Sequence, residues 1–234
     1  MISKKLDAAH IHAQNNPMTA FLDGPRLAPH SGTAKQLVVF LHGYGSNGDD
    51  LIELGHIWQT FLPDTAFVSP HAPEPCEISS FGRQWFPLNR RDENERWAGV
   101  TQSAPILNDF LDQELERYHL TSHQLALVGF SQGTMMALHI GLRRATSPSA
   151  IIGYSGLLVG EDHLDEINKI NPPAVLLTHG DHDDVIPPTA LAHARDHLTA
   201  AGIDCQAFLI RGLGHSIDQE CLQRGAAFLK AHGG

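Results

Sequence analysis

Gly129-Phe130-Ser131-Gln132-Gly133 is a Gly-x-Ser-x-Gly pattern that lies between an apolar run at 124–128 and a helix-like stretch at 134–144. A serine between two glycines, where a strand gives way to a helix, is typical of a nucleophile elbow. The glycines allow a tight turn, and the turn holds the serine Oγ up at the end of the sheet. The alternative is an ordinary turn with an exposed serine, because chance yields the pattern about one time in ten in such a chain. A true elbow also requires a base, an acid and an oxyanion hole.

Short apolar runs alternate with longer amphipathic stretches along the chain. The apolar runs occupy 37–41, 66–68, 125–128, 150–152, 174–177 and 207–210. Continuous runs of this length are typical of strands buried on both faces of a parallel sheet. Helices are predicted at 100–118, at 189–201 after two prolines, and at 216–231 with Ser216 as a candidate N-cap. The alternation predicts a single α/β domain over 1–234, with a mostly parallel central sheet flanked by helices.

Two regions depart from this alternation. Residues 1–36 contain the turn signal Asp23-Gly24-Pro25, which indicates a short antiparallel hairpin leading into the sheet. We therefore expect antiparallel N-terminal strands, with residues 1–18 peripheral to the domain. Residues 70–99 contain four prolines and two tryptophans and predict a long irregular loop. Long ordered loops are often functional, so this loop is expected to line a pocket.

The composition limits the classes of protein to be considered. Hydrophobic residues make up 42% of the chain and charged residues 18%, which is ordinary for a globular protein. The net charge of -10 argues against nucleic-acid partners, because phosphate contacts need a basic face. Cys76, Cys205 and Cys221 do not form a disulfide framework and fit a reducing compartment. No segment resembles a signal peptide or a membrane span, so we expect a cytoplasmic protein without stable membrane insertion.

The candidate base and acid come after Ser131 in the chain, in loops that follow predicted strands. A serine hydroxyl is a weak nucleophile until a neighbouring base takes its proton. His215 lies in a glycine-containing loop after the last predicted strand, whereas most of the 16 histidines are expected to be solvated surface residues. Asp181, Asp183 and Asp184 share an earlier loop, and their chemistry alone does not decide between them. Both loops follow strand ends, the edge of an open α/β sheet where ligands bind.

One histidine pair has the spacing of metal ligands. His193 and His197 are separated by four residues on a predicted helix, but Ala194 stands where the metalloprotease pattern has glutamate. We interpret the pair as a polar helix face and predict no metal site.

A glycine-rich segment at 41–48 is the candidate for the oxyanion hole. Such a hole needs backbone N–H groups aimed at the developing negative oxygen. One donor should be the residue after the nucleophile, here Gln132, and the other should come from the loop after an early strand. A phosphate-binding loop is the alternative, but the segment lacks the Gly-Lys-Ser/Thr ending of a P-loop. We therefore predict the Tyr44 N–H as the second donor.

Four ordered motifs together resemble the phospholipase/carboxylesterase family of α/β-hydrolases. They are Leu-His-Gly-Tyr-Gly at 41–45, Gly-Phe-Ser-Gln-Gly at 129–133, His-Gly-Asp-His-Asp-Asp-Val-Ile-Pro at 179–187 and Gly-Leu-Gly-His at 212–215. This family includes acyl-protein thioesterases and small bacterial carboxylesterases. The resemblance implies an α/β-hydrolase fold and a mechanism that needs neither a metal nor an organic cofactor.

The resemblance also implies catalytic roles for individual residues. Ser131 matches the nucleophile and His215 the base. Asp183 matches the acid, because the family aspartate lies four residues before the proline, here Pro187.

Two positions depart from the family pattern. Gly133-Thr134 stands where the family often has two glycines. Tyr44 replaces the leucine common in the eukaryotic thioesterases, so their deacylation role is not carried over to this chain.

The substrate contacts are predicted from the loop at 70–99. Arg83-Gln84-Trp85-Phe86 is similar to a segment that lines the acyl pocket in bacterial members, which implies that Arg83, Trp85 and Phe86 bind substrate. The alternative for the two aromatic residues is a place in the core under the loop. The alternative for Arg83, and for the arginines at 90, 91 and 96, is a solvated loop face rather than contact with an anionic head group.

These observations predict a serine carboxylesterase that hydrolyses short- to medium-chain acyl esters through a Ser-His-Asp triad and an acyl-enzyme. The expected partner is a small-molecule ester or thioester, and a homodimer is compatible with the sequence. The first alternative is a lysophospholipase or acyl-protein thioesterase with the same triad. The second is a catalytically silent hydrolase-fold binding protein, against which the complete set of candidate residues argues.

Overall fold

The computed structural model describes residues 21–167 and 170–233. The strands in these ranges are β1 (Arg26–Leu27), β2 (Gln36–Leu41), β3 (Thr65–Val68), β4 (Glu74–Pro75), β5 (Arg83–Gln84), β6 (Leu125–Phe130), β7 (Ala150–Tyr154), β8 (Ala174–Gly180) and β9 (Cys205–Ile210). The α-helices are α1 (Gly48–Trp58), α2 (Glu93–Tyr118), α3 (Gln132–Arg143), α4 (Thr189–Ala200) and α5 (Gln219–His232). The predicted peripheral position of residues 1–18 lies outside the described residues.

One sheet, in the order β1-β3-β2-β6-β7-β8-β9, organises the described part of the chain. β1 pairs antiparallel with β3, and the other pairings in this sheet are parallel. The predicted α/β fold, with a mostly parallel sheet and an antiparallel N-terminal strand, is confirmed. The predicted local hairpin is corrected, because Arg26 of β1 lies opposite Val68 of β3. A long-range ion pair accompanies this pairing, since Arg26 Nη2 lies 2.7 Å from the buried carboxylate of Glu114 on α2.

Side chains of the central strands alternate between two apolar layers. Leu37, Val39 and Leu41 of β2 pack in the layer that contains α2, α3 and α4, whereas Val38 and Phe40 pack in the layer that contains α1 and α5. Both faces of the strand are therefore removed from water. Burial on both faces explains why these strands read as continuous apolar runs instead of alternating ones.

The loop predicted at 70–99 is shorter in the structure. Helix α2 begins at Glu93, and the Asp92 carboxylate caps it by accepting a hydrogen bond of 2.8 Å from the Glu95 N–H. The first turns of α2 are polar and lack the apolar spacing that marks 100–118, so helical periodicity does not reveal them. Within the remaining loop, β4 and β5 form a short antiparallel pair.

Two helix starts differ from the sequence prediction. Helix α5 begins at Gln219 with Asp218 as its N-cap, whose Oδ1 accepts from the Cys221 N–H at 2.9 Å, so Ser216 is not the cap. Serine and aspartate are both good N-caps, and only the path of the chain chooses between them. Helix α1 has no counterpart in the sequence prediction and starts after Asn47. The loop after β2 therefore ends at Asn47, directly before the first residue of α1.

Candidate active site

Ser131 occupies the turn between β6 and α3. Strand β6 ends at Phe130 and α3 begins at Gln132, so a single residue joins them. Ser131 has φ 54 and ψ -114, a combination that residues with a side chain rarely adopt. Such strain persists only where surrounding contacts hold it, and it is common at active sites. The serine side chain is thereby presented at the carboxyl edge of the sheet.

Close backbone packing explains both glycines of the motif. A Cβ at Gly129 would lie 2.4 Å from the Gly133 carbonyl oxygen, and a Cβ at Gly133 would lie 1.7 Å from the Leu41 carbonyl oxygen. Neither distance admits a side chain, so only glycine allows the elbow to approach the end of β2. The same approach brings the loop after β2 beside the serine, where a Cβ at Gly43 would lie 3.3 Å from the Ser131 Cβ.

Thr134 is accommodated where the family often has glycine. Its hydroxyl lies 2.9 Å from the Gly129 carbonyl oxygen and 3.0 Å from the Tyr154 carbonyl oxygen, and it can donate to either. A Cβ at Gly153 or Gly156 would lie 2.5 or 2.3 Å from a Thr134 side-chain carbon. These two glycines therefore make room for the threonine, which links the elbow helix to β6 and β7.

A chain of hydrogen bonds joins Ser131, His215 and Asp183. His215 Nε2 lies 3.0 Å from Ser131 Oγ, and His215 Nδ1 lies 2.8 Å from Asp183 Oδ2. The Phe130 ring packs against the imidazole at a centroid distance of 4.9 Å and restricts its orientation. The imidazole is 17% exposed and can therefore meet a ligand, whereas the carboxylate is fully buried.

The Asp183 carboxylate is held by backbone groups as well as by histidine. Its Oδ1 accepts hydrogen bonds of 2.9 Å from the N–H groups of Val185 and Ile186. Burial by itself would raise the pKa of Asp183, but the hydrogen bonds from Ile186, His215 and Val185 outweigh burial and lower that pKa below its usual 3.8. The carboxylate therefore stays ionised at neutral pH and can stabilise a positive charge on the neighbouring imidazole.

His179 is a further contact of Asp183 that the sequence analysis missed. It lies near the end of β8 and is buried, with Nε2 3.1 Å from Asp183 Oδ2 and 3.0 Å from the Ile186 carbonyl oxygen. Both neighbours are acceptors, so Nε2 carries a proton and donates to them. The available signal is the position of this histidine at the end of an apolar strand, four residues before Asp183.

The other two candidate acids have different surroundings. Asp181 Oδ1 accepts a hydrogen bond of 2.6 Å from the Gly212 N–H, which ties together the two loops of the site. Asp184 is exposed. Among these three carboxylates, Asp183 is the one hydrogen-bonded to His215.

The loop after β2 is positioned by a buried neutral histidine. His42 Nε2 accepts a hydrogen bond of 3.0 Å from the Ala72 N–H, so its proton is on Nδ1, which donates to the Gly43 carbonyl oxygen at 2.8 Å. Burial lowers the pKa of His42 to about 4, which keeps the ring neutral. The His42 carbonyl oxygen in turn accepts a hydrogen bond of 2.9 Å from the Trp85 indole.

Two backbone N–H groups beside the serine are without hydrogen-bond partners among the described residues. Within the described part of the chain, the N–H groups of Tyr44 and Gln132 donate no hydrogen bond. Gln132 is the first residue of α3, where N–H groups have no acceptor inside the helix. Tyr44 follows Gly43, the residue that approaches the Ser131 side chain. Both groups are therefore free to bind a ligand oxygen.

Trp85 and Phe86 do not line the cavity, in contrast to the sequence prediction. Their exposed fractions are 0% and 2%. The Gln132 side chain clamps this segment under the elbow, since Oε1 accepts from the Trp85 N–H at 3.0 Å and Nε2 donates to the Phe86 carbonyl oxygen at 2.7 Å. Large aromatic side chains gain most from complete burial, so the core alternative describes them better.

Arg83, which was predicted to bind substrate, does not line the cavity either. Its Nε donates to the Ala72 carbonyl oxygen at 2.8 Å, and Nη2 donates to the Pro73 carbonyl oxygen at 2.7 Å. The guanidinium braces the start of the loop and borders a separate groove with Phe21 and Asn47.

A small cavity opens beside the serine and the histidine. Its volume is about 230 Å³. It is lined by Tyr44, Ile78, Leu88, Arg91, Arg96, Ser131, Met135, Leu157, Val185, Ile186 and His215. A larger groove of about 410 Å³ lies between α1 and α5, but no serine, histidine or carboxylate lines it. The chemistry of the lining, rather than size, identifies the candidate site.

Two other features, a metal-binding cluster and a membrane-spanning helix, are absent from residues 21–167 and 170–233. No group of three or more histidine, cysteine, aspartate or glutamate residues there could hold a metal ion. None of the helices in these ranges combines the length and apolar character needed to cross a bilayer.

Comparison with known sequences identifies relatives over nearly the whole described chain. Residues 22–233 match the family described as Phospholipase/Carboxylesterase. Esterase YpfH of Escherichia coli (strain K12) is 30% identical over 190 residues, which are 81% of this chain and 80% of the relative. Acyl-protein thioesterase 1 of Gibberella zeae is 27% identical over 224 residues, which are 88% of this chain and 92% of the relative.

Solved structures share the same architecture. Esterase PE8 superposes with a TM-score of 0.86 at 44% identity, covering 91% of this chain and 99% of that chain. Acyl-protein thioesterase 2 of Zea mays superposes with a TM-score of 0.74 at 24% identity, covering 90% of this chain and 98% of that chain. The second likeness concerns the fold alone.

Proposed function

The chain belongs to the phospholipase/carboxylesterase family and is a carboxylic ester hydrolase, and we propose that it acts as a serine esterase on short- to medium-chain acyl esters. In this proposal Ser131 is the nucleophile, His215 the general base and Asp183 the acid that orients the base. The observation that carries it is the hydrogen-bonded chain from Ser131 Oγ through the imidazole to the buried carboxylate, with distances of 3.0 and 2.8 Å.

The first chemical step is acylation of Ser131. His215 Nε2 takes the hydroxyl proton as Oγ attacks the ester carbonyl, and the resulting imidazolium lies against ionised Asp183. His215 then returns the proton to the departing alcohol as the carbon–oxygen bond breaks. The strained backbone of Ser131 supports this step, because it keeps the hydroxyl in place without rearrangement.

The oxyanion hole is assigned to the backbone N–H groups of Tyr44 and Gln132. Negative charge develops on the carbonyl oxygen during attack, and preorganised donors stabilise it. Losing one such donor typically costs roughly 3 to 4 kcal/mol of transition-state stabilisation. Both donors are backbone groups, so replacing either side chain does not delete them.

Deacylation completes the cycle with water as the second nucleophile. His215 removes a proton from the water as the water oxygen attacks the acyl carbonyl, and the N–H groups of Tyr44 and Gln132 again hold the oxyanion. His215 then returns the proton to Ser131 Oγ as the acyl bond breaks and the carboxylic acid leaves. Every step uses groups of this chain, so the proposal includes no cofactor.

The cavity favours a small acyl group over a long one. Its volume of about 230 Å³ lies below the roughly 300 to 1,000 Å³ of pockets for drug-sized ligands. Ile78, Met135, Leu157 and Ile186 supply an apolar lining for the acyl chain. Two relatives, esterase YpfH and esterase PE8, carry the name esterase, which is consistent with an ester substrate.

A thioester substrate is the second candidate. Several relatives are named acyl-protein thioesterase 1. With a thioester, Ser131 would attack the carbonyl carbon in the same way, and the carbon–sulfur bond would break as His215 gives its proton to the departing thiol. We place the reaction in the cytoplasm, where the free thiols of Cys76, Cys205 and Cys221 would remain reduced.

The experiment that tests the proposal is Ser131→Ala, with Ser31→Ala as an exposed-serine control. We expect a fluorophosphonate probe to label the wild-type chain and the control but not Ser131→Ala. Hydrolysis of a 4-nitrophenyl ester should fall at least roughly a thousandfold in Ser131→Ala, because the triad residues act as a unit. Retained labelling or a near wild-type rate in Ser131→Ala would refute the assignment.

A further inference from the structure

Two arginines in the wall of the cavity are not used by the mechanism. Arg91 and Arg96 line the same space as Ser131 and His215. Arg91 is exposed and Arg96 is half-buried. Within the described part of the chain, neither guanidinium takes part in an ion pair or a side-chain hydrogen bond, whereas the adjacent Arg90 is paired with Asp92 at 3.1 Å.

The carboxylates nearest in sequence are already engaged. Asp92 caps α2 and pairs with Arg90. Glu95 accepts three backbone N–H groups, from Asn89, Arg90 and Arg91, at 3.0, 2.9 and 2.6 Å. These bonds fold the turn that carries Arg91 and leave neither carboxylate paired with the cavity arginines.

Arg91 and Tyr44 line the same cavity, and the Arg91 charge acts on the Tyr44 hydroxyl. The pKa of Tyr44 is raised, first by a hydrogen bond with Cys76, then by burial and by the charges of Cys76 and Glu77, and the Arg91 charge opposes this rise. Glu77, whose charge acts on Tyr44, does not line the cavity, and in the described part of the chain it pairs with neither arginine.

A cationic wall is unusual in a chain whose net charge is -10. The overall charge repels an anionic ligand, so two unpaired guanidinium groups beside the nucleophile provide a local attraction that the rest of the surface lacks. Guanidinium is planar and binds carboxylate through two parallel hydrogen bonds. The other cavity residues are mainly apolar, which suits a short carbon chain between the ester and the charge.

We propose that the preferred substrate is an ester that also carries a carboxylate, which Arg91 and Arg96 bind while Ser131 attacks the ester carbonyl. The inference rests on the proposed serine esterase function and specifies its substrate class. The carboxylate belongs either to the acyl group or to the alcohol, and both arrangements use the same two arginines.

Matched ester pairs test the proposal and locate the charge. In the acyl pair, mono-4-nitrophenyl adipate is compared with 4-nitrophenyl hexanoate, which has the same six-carbon acyl chain without the carboxylate. In the alcohol pair, 4-butyryloxybenzoate is compared with phenyl butyrate. We expect kcat/KM to be about tenfold higher for the anionic member of one pair, mainly through a lower KM.

Arginine variants show whether the preference comes from the cavity. In the double variant Arg91→Gln/Arg96→Gln the ratio of anionic to neutral kcat/KM should fall about tenfold. Arg91→Lys/Arg96→Lys should retain part of the ratio, because charge remains without the planar fork. Arg90→Gln is the matched control and should keep the wild-type ratio. Raising the ionic strength should lower the wild-type ratio, because salt screens exposed charges.

The outcomes separate this inference from the function on which it rests. A wild-type preference for the neutral member of both pairs, or a preference that survives in the folded glutamine double variant, would overturn the carboxylate site. Thermal unfolding of each variant establishes that it is folded. If the wild-type chain hydrolyses none of the four esters and does not react with fluorophosphonate, the serine esterase function itself is overturned.

Discussion

The backbone at Ser131 has a conformation that a residue with a side chain keeps only when its neighbours hold it there. Those neighbours are identifiable. Gly129 and Gly133 allow the approach, Thr134 ties the turn to two strands, and the Ser131 N–H donates to the Tyr154 carbonyl oxygen at 2.9 Å. The cost of the strained residue is therefore offset by contacts that are spread over three elements.

At the same scale, mutation should distinguish the catalytic role of Asp183 from those of Asp181 and Asp184. Asp183→Asn replaces the carboxylate that faces His215, and we expect kcat to fall roughly a thousandfold or more, because imidazole orientation and charge stabilisation are both lost. Asp184→Asn changes an exposed side chain, and Asp181→Asn keeps an oxygen for the Gly212 N–H. Both should stay within about threefold of the wild-type rate.

Steady-state kinetics of the three asparagine variants on one neutral ester make this comparison. Equal losses at all three positions would leave Asp183 without a special role and would contradict the assignment of the acid.

At the scale of elements, the Gln132 side chain connects the elbow helix to the segment before α2. Its two hydrogen bonds reach the backbone of Trp85 and Phe86, and Ser103 Oγ on α2 donates to the Trp85 carbonyl oxygen at 2.6 Å. The segment is thus held from both sides. Trp85 and Phe86 contribute to the site by supporting it, and not by touching substrate.

Removing this clamp should cost stability and activity together. Gln132→Ala leaves a buried N–H and a buried carbonyl oxygen without partners, so we expect the free energy of unfolding to fall by about 2 to 4 kcal/mol. The control is Gln59→Ala, which removes one partly buried hydrogen bond to the Ala28 carbonyl oxygen (2.9 Å) and should cost about 1 kcal/mol.

Urea denaturation and ester kinetics distinguish the two variants. kcat/KM should fall in Gln132→Ala, because the lost side-chain bonds no longer fix the position of the backbone N–H that is the proposed oxyanion donor, and should be unchanged in Gln59→Ala. The clamp would be contradicted by a Gln132→Ala chain with wild-type stability.

At the scale of the whole molecule, two buried histidines couple folding to pH. Burial lowers the pKa of His42 to about 4, and burial followed by the Arg143 charge lowers the pKa of His139 to about 4. The usual histidine value is 6.5, which we take for the unfolded chain. Between about pH 6.5 and 4 the unfolded chain therefore binds protons that the folded chain excludes.

Stability should consequently fall as the pH is lowered through this window. Each histidine contributes a loss of up to roughly 3 kcal/mol, complete near pH 4, and Asp183 adds a loss in the same direction as the pH falls through its lowered pKa. His139→Phe removes one of these groups and a buried Nδ1 that makes no hydrogen bond with the residues that the structure describes. We expect this variant to lose less stability between about pH 7 and 4.5.

Urea denaturation at the two pH values measures the effect, with His123→Phe as an exposed control that should keep the wild-type pH dependence. A His139→Phe chain with undiminished pH dependence would show that His139 does not carry the coupling.

The hydrophobic pattern of the sequence was sufficient to predict the parallel sheet and most of its flanking helices, but some local features were not predicted. Strands buried on both faces appear as short apolar runs, and most helices appear through their apolar spacing. The polar first turns of α2 and the choice of Asp218 over Ser216 as a helix cap carry no such periodic signal. The N-terminal strand was predicted as a local hairpin because sequence patterns reveal nearby turns, whereas its pairing with β3 is long-range.

The sequence by itself determined the α/β fold, the family and the short list of reactive residues, because these follow from local hydrophobic patterning and from motifs with a defined order. Only the tertiary structure brought His179 and the backbone N–H groups of 185 and 186 onto Asp183, buried Trp85 and Phe86, and left Arg91 and Arg96 facing the cavity. The physical reason is that the surroundings of a side chain depend on contacts between residues far apart in the chain, and no local pattern records those contacts.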